Sequence, residues 1–268
     1  GCSSCQAHFR SKNCSRRLML TSRLQTGIRK LLLYKVKNMS SESEDISIGI
    51  TGLAEWDIPS EQLGRGLMLL TNRGSIQTII HHDPNKPTCR GVVWVSGAKG
   101  GFDGPGDGLY RILGKELSPG ITSIRANYRE PNDLTECVMD TLAAVSFLGG
   151  TGHTDILLVG HSFGGAVVIK AAPFSDLVKG VVSLSSQTYG ASEVANVSPR
   201  PLLLVHGEND TVLSPDSSRR ILEWAQEPKE LKLYPGAGHG LRECGRELRE
   251  LVGSWIQNHL FLPGETDA

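Results

Sequence analysis

Residues 1 to 41 contain no Asp or Glu, although the 268-residue chain as a whole balances 28 acids against 28 bases. Nine of the bases fall in that stretch, which leaves the remainder acidic by nine charges. An acidic domain repels phosphate backbones and anionic lipid, so neither nucleic acid nor a membrane surface is expected as a partner. Long apolar runs are missing as well. Nothing approaches the roughly 18 apolar residues that a membrane span requires, and Leu31-Leu32-Leu33-Tyr34 is bracketed by lysines. A soluble protein is expected. Cysteine is sparse, at Cys2, Cys5, Cys14, Cys89, Cys137 and Cys244. Cys2-x-x-Cys5 has the spacing of a metal-ligand pair, but no second pair or His-x-His answers it, so no metal site is expected. Reduced thiols in an intracellular protein fit this usage better.

The acid-free segment is rich in Arg and Ser and has no core periodicity. Three readings fit it: an organellar transit peptide, a disordered tail, or sequence translated ahead of a start at Met39. The first would place the protein in the chloroplast or mitochondrion and the others in the cytoplasm. Residues 1–41 are therefore set apart as a basic extension, and a single domain is expected over 46–263. Its first strand is read at 46–50, followed by a hairpin of 67–70 and 76–80 turned at Arg73-Gly74. Further strands at 91–96, 122–128, 155–161, 178–185, 201–206 and 231–234 alternate with helical patterns near 107–117, 133–148, 163–172, 215–227 and 241–259. In the second of these helices Leu134, Val138, Leu142, Val145 and Leu148 share one face. Asp133 and Glu136 resemble a capping box there, and Gly149 supplies a stop. Such alternation predicts an α/β fold, a mostly parallel central sheet with helices on both faces.

The stretch 155–172 organises the rest. The apolar run Ile156 to Val159 enters Gly160-His161-Ser162-Phe163-Gly164, and small and aliphatic residues suited to a helix follow at once. Strand, sharp turn and helix together predict that Ser162 sits at the exposed apex of a nucleophile elbow, with Gly160 and Gly164 at the positions where a side chain would collide. In this arrangement an acid and then a histidine follow, each on a loop after a later strand. Asp210, in Gly207-Glu208-Asn209-Asp210 after the strand ending at His206, is the expected acid, with Glu208 in reserve. Asp210 could instead cap the next helix, but Ser214-Pro215 already offers a cap and a first-turn proline. His239, in Pro235-Gly236-Ala237-Gly238-His239-Gly240, is the expected base, because a glycine-rich loop gives a histidine little core to fill. Among the other histidines, His81 and His82 are read as lying in a polar loop and His153 and His259 as surface residues. His161 and His206 are read as strand-end residues that pack rather than titrate.

Acyl transfer also needs N–H donors for a developing oxyanion. The backbone N–H of Phe163 is one candidate and that of Ala98, in Gly97-Ala98-Lys99-Gly100-Gly101, is the other. A phosphate-binding reading of that glycine loop is disfavoured, since it lacks both a Lys-Ser/Thr ending and G-x-G-x-x-G spacing.

The span from about 46 to 263 resembles the α/β-hydrolase fold, and among its members the compact dienelactone-hydrolase-like serine esterases. The likeness rests on Gly160-His-Ser-Phe-Gly-Gly165, on His206-Gly-x-x-Asp210 and on Gly236-x-Gly-His239. It implies a serine hydrolase of carboxylic esters or thioesters, acting through Ser162, His239 and Asp210 and needing no metal or organic cofactor. Its partner would be a small-molecule ester or thioester, and nothing in the sequence speaks to oligomeric state. Dienelactone hydrolases proper use cysteine as nucleophile, so that reaction is not carried over. Only about fifteen residues separate the strands ending near Ser185 and starting near Pro201, too few for a helical lid. The alternatives are a small-molecule receptor built on the same fold and a serine peptidase.

Overall fold

The computed structural model describes residues 34–37 and 45–261. The acid-free segment outside 34–37, including Cys2-x-x-Cys5, and residues 262–263 therefore lie outside the described residues. Strand β1 (Tyr34–Lys37) pairs antiparallel with β2 (Asp45–Ile48), Tyr34 facing Ile48 and Lys37 facing Asp45. The sequence had placed the first strand at 46 and set 1–41 apart as an extension.

Nine further strands form one sheet: β3 (Ile50–Glu55), β4 (Arg65–Thr71), β5 (Gly74–His81), β6 (Arg90–Val95), β7 (Thr122–Ala126), β8 (Asp155–His161), β9 (Val178–Leu184), β10 (Leu202–Gly207) and β11 (Lys229–Tyr234). Their order across the sheet is β11-β10-β9-β8-β6-β7-β5-β4-β3. From β11 to β7 all neighbours run parallel, while β5, β4 and β3 add an antiparallel edge. The hairpin turn is the two residues Asn72-Arg73, closed by Thr71 opposite Gly74, whose φ of 111° only glycine adopts readily. Strand β3 escaped the sequence reading because Ile50–Glu55 is half exposed and carries no clean alternation.

The parallel strands are buried on both faces, which explains their near-continuous apolar runs. Val93, Val95, Ile156, Leu158, Leu202 and Leu204 face one core, shared with α2 (Leu134–Gly150), α3 (Phe163–Ala171) and α4 (Asp216–Trp224). Val92, Trp94, Leu157, Val159, Leu203 and Val205 face the other, shared with α1 (Leu109–Glu116) and α5 (Gly245–Leu260). Two helices start later than their apolar pattern. The left-handed Asp107 and Gly108 delay α1, and Leu241 with φ 52° cannot belong to α5. No helix among the described residues is long and apolar enough to cross a membrane. Between β9 and β10 the chain forms only a short 3-10 turn, Val194–Val197, so no lid domain covers the carboxyl ends of the strands there.

The chain runs from β6 outward to β7 and then returns to the far side of β6 as β8. The loops leaving β6 and β8 therefore diverge, and a crevice opens between them at the carboxyl edge. A buried ion pair braces this region. Asp140 on α2 is fully enclosed and accepts from the Arg129 Nε–H and, at 2.8 Å, from the Arg129 backbone N–H, while Arg129 also donates to Glu136 at 2.8 Å. His81 and His153, read from sequence as loop and surface residues, are both buried. His81 closes β5 inside the sheet, and His153 sits with Nδ1 3.0 Å from the Leu148 carbonyl at the end of α2.

Removing one member of a buried pair strands the other charge at a cost of about 3 kcal/mol or more. Asp140→Asn is therefore expected to lower the unfolding free energy by about 3 kcal/mol in urea titrations. A loss below about 1 kcal/mol, the range of surface pairs, would show that Arg129 is satisfied without this carboxylate.

Candidate active site

Strand β8 ends in the turn the sequence predicted. Ser162 has φ 58° and ψ −122°, a strained conformation for a residue with a side chain. Its N–H donates to the Leu184 carbonyl at 2.7 Å, and its carbonyl accepts from the Gly165 N–H at 3.0 Å. A Cβ on Gly160 would lie 2.0 Å from the Gly164 carbonyl oxygen, and one on Gly164 would lie 2.3 Å from that of Ser96. Only glycine at both positions lets strand, turn and helix approach this closely.

The acid and histidine loops leave the neighbouring ends of β10 and β11 and are bonded to each other. The N–H groups of Glu208 and Asn209 donate to the carbonyls of Tyr234 and Ala237 at 3.0 and 2.9 Å. This brings His239 between Ser162 and Asp210. Its Nε2 lies 3.0 Å from Ser162 Oγ and its Nδ1 lies 2.7 Å from Asp210 Oδ2. A carboxylate oxygen only accepts, so Nδ1 carries the proton and Nε2 offers a lone pair to the serine hydroxyl. Glu208 is not brought to this imidazole. It is exposed, and its carboxylate faces Arg219 at 3.9 Å.

The Asp210 side chain is completely enclosed. Its Oδ1 accepts from the N–H groups of Val212 and Leu213 at 2.8 and 2.9 Å, so the capping role weighed from sequence is met by one oxygen while the other serves His239. Burial pushes this carboxyl up. The bonds from Leu213, His239 and Val212 outweigh burial and hold it below the ordinary carboxylate range. The following helix starts at Asp216, after Pro215, with Ser214 Oγ accepting from the Asp216 N–H at 3.3 Å.

Two further histidines belong to the site. His161 donates from Nε2 to the His239 carbonyl at 3.0 Å, its ring centroid lies 5.0 Å from that of His239, and burial pushes its pKa down to about 4. His206, fully buried, places Nε2 3.0 Å from Asp210 Oδ2. Sequence reasoning treated both as packing residues. The signal it passed over was that a strand's last side chain points at whatever the next turn contains.

The first residue of α3 is Phe163, so its N–H has no acceptor within the helix. The turn after β6 crosses Ser162 closely, since a Cβ on Gly97 would lie 3.3 Å from Ser162 Cβ. That turn holds Ala98, is closed by the Gly100 N–H to the Gly97 carbonyl at 2.9 Å, and is anchored by the Gly101 N–H donating to Asn127 Oδ1 at 2.8 Å. Asn127, just beyond β7, was not singled out from sequence. Beside His161 opens a polar cavity of about 340 Å³ whose lining includes Asp103, Asp107, Arg111 and Arg242.

Among solved structures, the chain is similar to Est1E from Butyrivibrio proteoclasticus, with 19% identity over 69% of this chain and 94% of the other at a TM-score of 0.59. It is similar also to the dienelactone hydrolase of Anabaena variabilis, with 18% identity over 71% and 94% and a TM-score of 0.60. An alpha-beta serine hydrolase homologue from Coxiella burnetii matches at 21% identity over 70% and 95%, with a TM-score of 0.59. At these identities the likeness shows the α/β-hydrolase fold. The uncharacterized protein YfhR of Escherichia coli (strain K12) is 33% identical over 100 residues, which is 34% of this chain and only 35% of YfhR. A family model matches residues 119–253, half of the chain and all three of the loops that carry Ser162, Asp210 and His239; the protein belongs to the dienelactone hydrolase family.

Proposed function

We propose that this protein is a serine hydrolase of carboxylic esters or thioesters, with Ser162 as nucleophile, His239 as general base and Asp210 as the orienting acid. The observation that carries this reading is the unbroken hydrogen-bonded chain from Ser162 Oγ through His239 to a buried carboxylate, at 3.0 and 2.7 Å. Membership of the family and the strained, half-buried position of Ser162 at the apex of the elbow support it.

In the reaction His239 Nε2 takes the Ser162 proton as Oγ attacks the substrate carbonyl carbon, giving a tetrahedral oxyanion. Asp210 holds the ring in the tautomer that leaves Nε2 free and stabilises the imidazolium once it forms. The Phe163 N–H at the start of α3 and the Ala98 N–H in the crossing turn are the donors to the oxyanion. Each such donor contributes about 3 kcal/mol to the transition state. The imidazolium protonates the departing alcohol or thiol, leaving an acyl group on Ser162. Water then enters and gives its proton to His239 as its oxygen attacks the acyl carbon, and the imidazolium returns that proton to Ser162 Oγ as the acid leaves. With no lid between β9 and β10, substrates with small or medium acyl groups reach the serine directly.

The test is labelling by a fluorophosphonate followed by turnover of esters of graded acyl length. Ser162→Ala is expected to abolish labelling and to lower kcat by about 10⁴ to 10⁶ with the fold intact by circular dichroism. Undiminished turnover in that variant would remove Ser162 from the mechanism.

The two candidate carboxylates separate in the same assay. Asp210→Asn is expected to lower kcat at neutral pH by about 10³ to 10⁴, whereas Glu208→Gln changes it by less than about tenfold. The reverse ranking would mean that the acid is Glu208.

A further inference from the structure

The oxygen of Asp210 that receives His239 also receives a second imidazole. His206 Nε2 lies 3.0 Å from Asp210 Oδ2 and 3.0 Å from the Leu213 carbonyl oxygen. Both of these are acceptors, so Nε2 must carry the hydrogen. The other ring nitrogen, Nδ1, lies 2.7 Å from Ser218 Oγ on α4. Ser218, itself fully buried, donates its hydroxyl hydrogen there, and the tautomer is thereby determined. Burial lowers the pKa of His206 and so favours the neutral ring that this bonding pattern requires.

We propose that His206 is a positioning residue of the hydrolytic machinery, fixing the Asp210 carboxylate by an Nε2–H bond to the oxygen that serves His239, with Ser218 locking the tautomer that makes this donation. The proposal rests on the assignment of Asp210 and His239 made above. Two backbone N–H groups hold Oδ1, so His206 completes a set of four donors and leaves the carboxylate no freedom to rotate away from His239. It also takes up part of the Oδ2 charge. A carboxylate satisfied in this way is less basic, so the proton that His239 carries on Nδ1 stays on the imidazole during turnover instead of moving to Asp210.

The sign of the effect follows. Without His206 the Oδ2 charge acts on His239 alone, the imidazolium is favoured, and the titration midpoint of His239 rises. The ionisable groups around this ring are Asp210 and His206 from the β10 side and His161 from the end of β8. Its own loop contributes Arg242 and Glu243, the latter accepting from the Gly238 N–H at 3.0 Å. Glu208 and Arg219 face each other at 3.9 Å beyond Asp210. Apart from His206 itself, none of these changes in the variants below.

The experiment compares His206→Leu, which removes the donor, with His206→Gln, whose amide nitrogen can reach the same oxygen. Titration of the His239 ring is followed by proton–nitrogen NMR, and the pH profile of kcat/KM for the best ester is measured alongside. In the Leu variant the His239 midpoint is expected to rise by about half a unit to one unit, and the acid limb of kcat/KM to move with it. kcat falls by about tenfold while KM stays within about twofold. The Gln variant is expected to return the midpoint to near the wild-type value. A residue that merely fills space would give Leu and Gln the same midpoint as the wild type, and that result overturns the proposal. Should the Leu variant fail to fold, Ser218→Ala carries the test: loss of the tautomer lock moves the midpoint in the same direction by a smaller amount, and an unmoved midpoint overturns the proposal. The NMR readout does not require turnover. A wild-type protein that neither labels nor hydrolyses any ester would overturn the hydrolase reading, while the titration would still decide the role of His206.

Discussion

A carboxylate withdrawn completely from water is tolerated only when its lone pairs are met from every side, and Asp210 is in that position. Two of its partners are backbone N–H groups of the turn that immediately follows it, and two are imidazoles, one from the strand before it and one from the loop after β11. The requirement couples parts of the chain that are distant in sequence. The turn at 210–213 must be tight, α4 must lie where Ser218 meets His206, and the histidine loop must fold across the end of β10. Any of these displaced would leave a buried charge short of a partner. The geometry of the site is thus enforced by the electrostatic penalty of its absence as much as by the packing beneath it.

The sheet supplies the second constraint. Because β8 returns to the opposite side of β6 from β7, the turn carrying Ala98 and the elbow carrying Ser162 face each other across one crevice. Helix α3 starts at that crevice, and the Phe163 amide and the positive dipole end point toward the place where negative charge develops in the proposed reaction. Strand order, helix position and the strained φ of Ser162 therefore serve one geometric end. The Arg129–Asp140 pair ties the loop after β7 to α2, close in sequence to Asn127, whose side chain holds the turn that contains Ala98.

What was legible in the sequence was local or carried by residue type. The elbow could be read because strand, glycine-flanked serine and helix are consecutive, so the chain must bend there. Asp210 and His239 could be read because each follows an apolar strand and stands where neither a core nor a simple cap accounts for it. Illegible were features set by tertiary contact. Nothing in Ile50–Glu55 marks it as an edge strand, since its pairing with β4 decides that. The left-handed residues that delay α1 and α5 interrupt apolar patterns that run on without a break. Asn127, His161 and His206 act on partners 26, 78 and 4 residues away, and only the last lies within reach of a sequence argument. Strand-end histidines were expected to pack. They do, and the same packing directs their N–H groups at the site.

Three imidazoles crowd this one region, and burial is what distinguishes them. His206 has no exposure at all, and His161, half-buried beside the His239 loop, is pushed by desolvation down to about 4. Each also has its Nε2–H committed to an acceptor within the protein, so neither has that position open to a substrate. His239 keeps part of its side chain, 20%, open to solvent, and of the three it is the ring bonded to a carboxylate on one nitrogen and to a serine hydroxyl on the other. A second charged ring within about 5 Å would work against the imidazolium that the proposed reaction must form. Keeping two rings neutral by desolvation and leaving the third partly hydrated beside Asp210 confines the charge to one atom set, so similar side chains acquire different roles from their surroundings.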